Sequence, residues 1–466
     1  MFEKGGKIMY RAQTVQIKKG HRLYKYCERE CSLSAKLYNR ANFIARQYAT
    51  AVRDLEQYKP LRENQLSAYE MVRNVVAGTK YAPKGKWLNY NRLDYILKAT
   101  GDESYYAMYA QENQQTLKLL MRDYTSFFES LKEYRANPAV FTGRPKMPHY
   151  VKEGGLKTAV LTNQICKVKN GRYIKFPGTK IRLNAGAEIT KLKEVRIKPR
   201  GGAFEVSIVY EIADTGIQPI TDAKVMTQKL CELGKLTDIT DKRIIAIDPG
   251  VDNFLSMVNN FGDQPMLIKG GSIKSANQFY NKELARHKSQ AELCNKRKVT
   301  KRISRLHLKR YNIIKDKMHK ISRYLADYCR DRKVDMVILG HNVYQKQEIA
   351  TGHVNNQSFV QIPFVVFAGM LSYKLAEYGI QLLLTEESYT SRADYLAGDY
   401  MPTYGADDEK ADFSGSRVKR GLYRHFDGKL SNADINGAAN ILRKVFPKVV
   451  QWDRGVVDTP CAVRVA

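Results

Sequence analysis

The stretch Arg243-Ile244-Ile245-Ala246-Ile247-Asp248-Pro249-Gly250 decides how the carboxyl-terminal half of this 466-residue chain is read. Ile244 to Ile247 form an unbroken apolar run, rich in β-branched side chains, which predicts a strand buried on both faces. Pro249 and Gly250 stop it, because proline cannot donate to a ladder and glycine accepts the turn. The strand therefore presents the Asp248 carboxylate at the edge of a sheet. Taken alone, an aspartate in that place is equally a turn initiator.

Outward from that strand, Phe254 to Val258 and Met266 to Ile268 read as antiparallel partners. Residues 282–333 follow, with 18 Lys/Arg against five acids. Within them His307, Tyr311, Ile314, Met318, Ile321, Leu325 and Tyr328 recur at spacings of four and three, which predicts a basic helical hairpin. Its cationic density suits contact with phosphates. Val334 to Leu339 is the fourth strand, 363–378 a helix, Ile380 to Thr385 the fifth strand, and Asp434 to Val445 the last helix. Three antiparallel strands, a helical segment and further strand–helix units are the order of a ribonuclease-H-like fold.

The amino-terminal half has another texture. Residues 9–18 alternate as one strand, and from Tyr26 to about Leu131 the pattern is helical. Leu117, Leu120, Met121, Tyr124, Phe127, Phe128, Leu131 and Tyr134 form one stripe, read as the core of a helical bundle. Gly143-Arg144-Pro145-Lys146-Met147-Pro148 ends the helices. Between about 157 and 212 short β-like runs alternate with Gly and Asn turns, which predicts a small β-barrel or sheet. The first strand is expected to join it, leaving the helices as an insertion. Residues 215–242 read as a linker. The class expected is multidomain α/β, with a β-barrel, a helical bundle and a ribonuclease-H-like domain.

Composition narrows the partners. Hydrophobic residues make up 43%, enough for packed cores, which excludes a wholly disordered chain. Lys plus Arg is 78 against 47 for Asp plus Glu, a formal charge of +31 that calls for a polyanion. The seven cysteines form no CxxC, so neither a disulfide framework nor structural zinc is expected, and a reducing cytoplasm fits. Met1-Phe2-Glu3-Lys4 opens no apolar signal core, and no run of about 18 apolar residues occurs, so no membrane is expected.

Phosphodiester hydrolysis needs a water nucleophile and charge neutralisation at phosphorus, which clustered carboxylates holding two divalent ions about 4 Å apart supply. Mg²⁺ suits such oxygen ligands, with Mn²⁺ as a substitute. Asp248 is one candidate. Asp434, in Asn432-Ala433-Asp434-Ile435-Asn436-Gly437-Ala438-Ala439-Asn440-Ile441, is a second, although an acid in a first helical turn is also an N-terminal cap.

Ile247-Asp248-Pro249-Gly250 and Ala433 to Ile441, in that order, resemble the first and third RuvC motifs of the transposon-encoded TnpB proteins, compact relatives of type V CRISPR effectors. The resemblance extends over roughly residues 10–447. It includes Leu37-Tyr38-Asn39, the helix from Gln115 to Tyr134, and Phe141 to Pro148. In the second half it includes Asn355-Asn356-Gln357, Ile362-Pro363, Tyr373-Lys374, Glu386 to Ser391 and Lys419 to Tyr423. It implies an RNA-guided DNA endonuclease that binds a guide RNA, reads a short motif beside a double-stranded target, and cuts with one Mg²⁺-dependent RuvC site. Expected with it is a prokaryotic, nucleoid-associated cytoplasmic protein, its oligomeric state left open with a monomer favoured. The implied domains are a wedge-like β-barrel (1–24 and 150–214), a helical recognition domain (25–149) and a nuclease domain (243–446), followed by a tail (447–466).

Two departures from the family pattern stand out. Most relatives end the fourth strand in a glutamate, and here Gly340 takes that place. In parts of the family, and in the eukaryotic Fanzors, a glutamate just before a Thr-Ser pair replaces it. Glu387-Ser388-Tyr389-Thr390-Ser391 fits that spacing, so the resemblance implies Asp248, Glu387 and Asp434 as metal ligands, with Glu386 as the alternate for Glu387. Many relatives also carry a four-cysteine zinc ribbon after this motif. No Cys occurs between Cys329 and Cys461, Asp394 stands at the first ribbon position, and residues 386–432 are expected as a loop without zinc. Arg144, Lys146, Arg417, Lys419 and Arg420 are assigned to nucleic-acid contact. His341, His353 and His425 are read as structural or surface histidines. Two other readings remain open: a nuclease-inactive RNA-guided repressor, and a DNA-joining transposase.

Overall fold

The computed structural model describes residues 9–212, 241–295, 300–341, 362–402, 412–447 and 459–465. Most of the expected linker, Asn355-Asn356-Gln357, His353 and the acidic Asp407-Asp408-Glu409 lie outside the described residues. The chain divides into two compact units, residues 8–213 and residues 214–466 with 1–7.

In the first unit, β1 (Met9–Ile17) pairs antiparallel along its whole length with the last strand of the unit, Met9 opposite Ile212 and Ile17 opposite Phe204. Between them lie α1 (Tyr24–Glu56), α2 (Glu63–Val76), α3 (Tyr90–Ala99), α4 (Glu103–Tyr106), α5 (Ala110–Ala136) and six strands. These are β2 (Ala159–Thr162), β3 (Lys167–Lys169), β4 (Tyr173–Lys175), β5 (Arg182–Asn184), β6 (Lys191–Arg200) and β7 (Ala203–Ile212). The strands divide into a four-stranded sheet, β1-β7-β6-β2, and a three-stranded sheet, β3-β4-β5. Their pairings form two open sheets over one apolar core, where a closed barrel was one expectation.

Helix α1 serves two cores. Leu23, Cys27 and Cys31 pack with the sheets, and Leu37, Tyr38, Ala41, Ile44 and Tyr48 with the other helices. Cys27 and Cys31 stand one turn apart because both act as small apolar side chains, and burial pushes the Cys27 thiol up to about 12. On α5, Leu117, Leu120 and Tyr124 are buried, whereas Met121, Phe127 and Phe128 pack only partly against the core. The predicted stripe thus loosens toward its carboxyl end. The Leu37-Tyr38-Asn39 motif is a fastener. The Asn39 amide group exchanges two 2.8 Å hydrogen bonds with the Val151 backbone, and Tyr38 Oη donates to Asp123 Oδ2 at 2.7 Å. Asn42 and Arg46 both donate to the Pro148 carbonyl, which anchors the proline-rich segment on α1.

The second unit is a six-stranded mixed sheet. It comprises β8 (Ile244–Pro249), β9 (Asn253–Asn259), β10 (Met266–Lys269), β11 (Met336–Gly340), β12 (Gln381–Thr385) and an edge strand at Cys461–Val463. The order is β12-β11-β8-β9-β10 and then the edge strand. Strands β8, β9 and β10 are successively antiparallel, while β11 runs parallel to β8 and β12 parallel to β11. Strand β8 shows why its sequence lacks alternation. Ile245 and Ile247 enter one core and Ile244 and Ala246 the other, so both faces are covered.

One face carries α6 (Gly271–Asn295), α7 (Lys301–Asp331) and α8 (Phe364–Ala376), and the other α9 (Ala433–Val445). The basic hairpin begins at Gly271, earlier than residue 282. On α7 the buried stripe is Ile303, Ile314, Met318, Ile321 and Leu325, whereas His307 is exposed and meets Tyr280 Oη at 2.8 Å. The expected tail contributes a parallel edge strand, Cys461 opposite Met266. No described helix is long and apolar enough to cross a membrane.

Candidate active site

Because β8, β11 and β12 run parallel, their carboxyl ends share one edge of the sheet, the usual place for a site in an open α/β sheet. Asp248 lies at that end of β8, Gly340 ends β11, and Glu387 follows β12 by two residues. A Cβ added at Gly340 would lie 2.7 Å from Glu387 Oε2. Glu387 thus reaches the space where a side chain at position 340 would begin. Asp434 lies in the first turn of α9, whose N-cap Asn432 accepts from the Asp434 and Ile435 amides. One turn later, a Cβ on Gly437 would fall 2.6 Å from Asp248 Oδ2. The small residues of the 433–441 motif therefore let helix and carboxylate touch.

Asp248 feels both other acids. Burial raises the Asp248 carboxyl well above its ordinary range, the charges of Glu387 and Asp434 raise it further, and Arg417 opposes them. Glu387 is pushed up to about 7 by burial and then by Glu386, with Lys444 opposing. Glu386 is differently placed. It forms an ion pair with Lys444, and its Oε2 accepts from the Ser388 amide at 2.8 Å.

Asp434 has two named partners. Arg417 Nη2 donates to its Oδ1 at 3.2 Å, and Asn253 Nδ2 donates to its Oδ2 at 2.7 Å. Lys269 Nζ in turn donates to Asn253 Oδ1 at 2.8 Å and fixes that amide. Sequence reading missed Asn253, Lys269 and Lys444, because each acts only after distant strands meet. The one available signal was the polar Asn253, heading an otherwise apolar strand just after Asp248. Among the described residues no group of three or more His, Cys, Asp or Glu side chains stands ready as a metal cluster.

The same helix holds the turn that carries Glu387. Asn440 Nδ2 donates to the carbonyls of Thr390 and Ala393, and Asn436 Nδ2 to that of Ala393. At i and i+4 the two asparagines share one face of α9. Thr390 Oγ1 donates back to the Glu387 carbonyl at 3.0 Å. Tyr389, at φ 63°, takes the left-handed conformation this turn requires.

The segment expected as a zinc-free loop is partly a sheet: β13 (Ser416–Lys419), β14 (Leu422–Arg424) and β15 (Leu430–Asn432). A buried polar chain ties it to the preceding turn. His425 Nδ1 lies 2.6 Å from Asp394 Oδ1, and His425 Nε2 lies 2.7 Å from Ser431 Oγ. Asp394 also accepts from the Phe426 and Leu396 amides. Asp394, at the first ribbon position, is thus the hub of this cross-link, and His425 is a core residue. His341 continues the β11–β12 ladder, its amide donating to the Thr385 carbonyl at 2.7 Å.

The five assigned basic residues separate. Arg144 and Lys146 are exposed beside the anchored Pro148, and Lys419 is exposed on β13. Arg417, also exposed, pairs with Asp434, and Arg420 pairs with Asp252, which also holds Lys274.

Residues 210–345 match the family OrfB_IS605, described as a probable transposase. No curated protein matches the chain. Among solved structures, the chain is similar to the protein of a Cas12f1–sgRNA–target DNA complex, at 13% identity and TM-score 0.42, over 92% of this chain and 83% of that one. It is also similar to the mini-RNA-guided endonuclease CRISPR-Cas_phi3, at 9% identity and TM-score 0.38, over 94% and 92%. A third is Alicyclobacillus acidoterrestris C2c1 with single-guide RNA, at 9% identity and TM-score 0.26, over 93% and 70%. All three likenesses are distant. Residues 210–345, which include Asp248, are thus similar to the OrfB_IS605 family.

Proposed function

We propose that this protein is an RNA-guided DNA endonuclease whose ribonuclease-H-like (RuvC) domain, residues 243–446, hydrolyses DNA at Asp248, Glu387 and Asp434. The observation carrying the reading is the position of Glu387 Oε2, 2.7 Å from where a Gly340 Cβ would stand. A carboxylate is thereby supplied where the fourth strand lost its own. The strand order, with its antiparallel triplet followed by two parallel strands, supports the fold assignment. The wedge-like unit (1–24 and 150–214) and the helical recognition block (25–149) belong to the same reading. The partners are a guide RNA and a double-stranded DNA target beside a short motif, met in the prokaryotic cytoplasm by a nucleoid-associated protein.

The donor chemistry, three carboxylates, is the kind hard divalent cations take; burial makes Asp248 and Glu387 reluctant to ionise, helped at Asp248 by the charges of Glu387 and Asp434 and at Glu387 by that of Glu386. When bound, a pair of Mg²⁺ ions, or Mn²⁺ in their place, supplies charge neutralisation at phosphorus and an activated water. The chain's own groups prepare the place. Asp248, Glu387 and Asp434 would hold the ions. The Lys269–Asn253 relay aims Asp434. Lys444 pairs with Glu386, whose charge helps raise Glu387. Arg417 places a positive charge beside Asp434.

The test is to purify the protein with co-expressed RNA, sequence that RNA and assay plasmid cleavage. Asp248→Ala and Asp434→Ala are expected to abolish cutting with guide binding nearly intact; wild-type cutting by either would contradict the site. Target binding without scission in ample Mg²⁺ or Mn²⁺ would favour the repressor. The family's description as a probable transposase is the observation behind strand joining. Joined products, in place of free ends, would identify that reaction.

A further inference from the structure

The small sheet β3-β4-β5 carries a charge arrangement that its own stability does not explain. In register, Lys167 lies opposite Lys175 and Lys175 opposite Arg182, so three cations stand in one row across three strands. The next row on the same face is Lys169, Tyr173 and Asn184. All six side chains are exposed, while Ile174 and Leu183 between them are buried in the core. The three strands contain no acid.

Strands lie about 4.8 Å apart, so the cationic row spans roughly 10 Å, and the second row lies about 6.6 Å along the strands. Like charges directly opposite one another destabilise a sheet. A row of three therefore works against folding, and a bound polyanion would relieve it. The second row adds an aromatic platform. Tyr173 is 37% exposed. With Arg22, Asn170, Lys180, Ile181 and Arg182 it lines a cavity of about 400 Å³. Cations in a track beside an exposed ring are the pairing that unpaired nucleotides require: phosphates on the charges, a base on the ring.

We infer that the outer face of β3-β4-β5 is a binding site for an unpaired stretch of RNA, with Lys167, Lys175 and Arg182 on consecutive phosphates and Tyr173 stacked on a base. RNA is the occupant because the proposed function supplies one, whose loops leave bases unstacked for aromatic side chains. The inference rests on that reading for the identity of its ligand, and on the cross-strand register for its place.

The experiment takes the full chain purified with its RNA, irradiates the complex and maps RNA-linked peptides by mass spectrometry. A cross-link at Tyr173 is expected. RNA-linked peptides elsewhere with none containing Tyr173 would overturn the site. In parallel, nucleic-acid-free protein carrying Lys167→Thr, Lys175→Thr and Arg182→Thr is titrated with a fluorescein-labelled 20-nucleotide oligouridine. Affinity is expected to fall at least tenfold at about 0.15 M salt, and the slope of log K against log salt to shrink by about 2 for three lost contacts. The melting temperature should hold or rise, since the like charges are gone. Unchanged affinity and slope would overturn the inference, as would equal displacement of the RNA by DNA of the same sequence. Failure of the nuclease reading shows separately, as absent plasmid cleavage by a protein that still cross-links RNA at Tyr173.

Discussion

At the residue scale, two glycines decide how closely the acids approach. Gly340→Ala would bring a Cβ to 2.7 Å from both Glu387 Oε2 and Ile441 Cδ1. We predict a loss of cleavage of at least tenfold with guide binding retained, measured on a labelled target; full activity would show that position 340 has room for a side chain. Gly437→Ala pushes on Asp248 Oδ2 in the same way and should also lower the rate. Asp248 and Asp434 each sit in a short motif with its own local pattern, which alone also fits a turn initiator and a helix cap, so their joint role was read from the resemblance. Glu387 was not legible from spacing alone. Its candidacy came from family resemblance, and only the packing of β11 beside β12 brings it to Gly340. Asn253 and Lys269 have no local signature, since their task exists only once β9 and α9 meet.

At the element scale, the segment without zinc ligands is fastened by the Asp394–His425–Ser431 chain, in which all three side chains are buried. Ser431 immediately precedes Asn432, the N-cap of the helix bearing Asp434. His425→Ala leaves a buried carboxylate short of its partner, and we predict destabilisation on the order of 3 kcal/mol. Chemical denaturation measures it directly, and an unchanged midpoint would show that other contacts hold the segment. The central strands and α9 were readable because long apolar runs and helical spacing carry much signal. Strands β13, β14 and β15 escaped notice because they are three or four residues long and β13 is exposed throughout. The edge strand Cys461–Val463 is as short, and its pairing with β10 joins residues nearly 200 positions apart. The α7 stripe was misread at its start because His307 fits the helical period, whereas burial begins at Ile303.

At the scale of the whole molecule, charge governs behaviour. A chain of +31 should bind RNA with strong dependence on salt. The carboxyl cluster also makes stability depend on pH. Glu387 is raised from an ordinary 4.5 to about 7, and Asp248 is raised as well. At these two groups the folded chain binds more protons than the unfolded one, so their contribution to stability falls as pH rises. For Glu387 this stabilisation is complete below about 4.5 and lost as pH passes through about 7. We predict that the metal-free melting temperature declines across that window, and that Glu387→Gln flattens the decline. A metal-free melting temperature that rises steadily across it would contradict the electrostatic account. The central claim is that one glutamate from the β12 end completes a site with Asp248 and Asp434. Plasmid cleavage by guide-loaded Glu387→Ala, run beside Glu386→Ala, tests it most directly. Expected is a loss of about a thousandfold or more for Glu387→Ala, with Glu386→Ala keeping most of its rate. Wild-type cleavage by Glu387→Ala would contradict the claim.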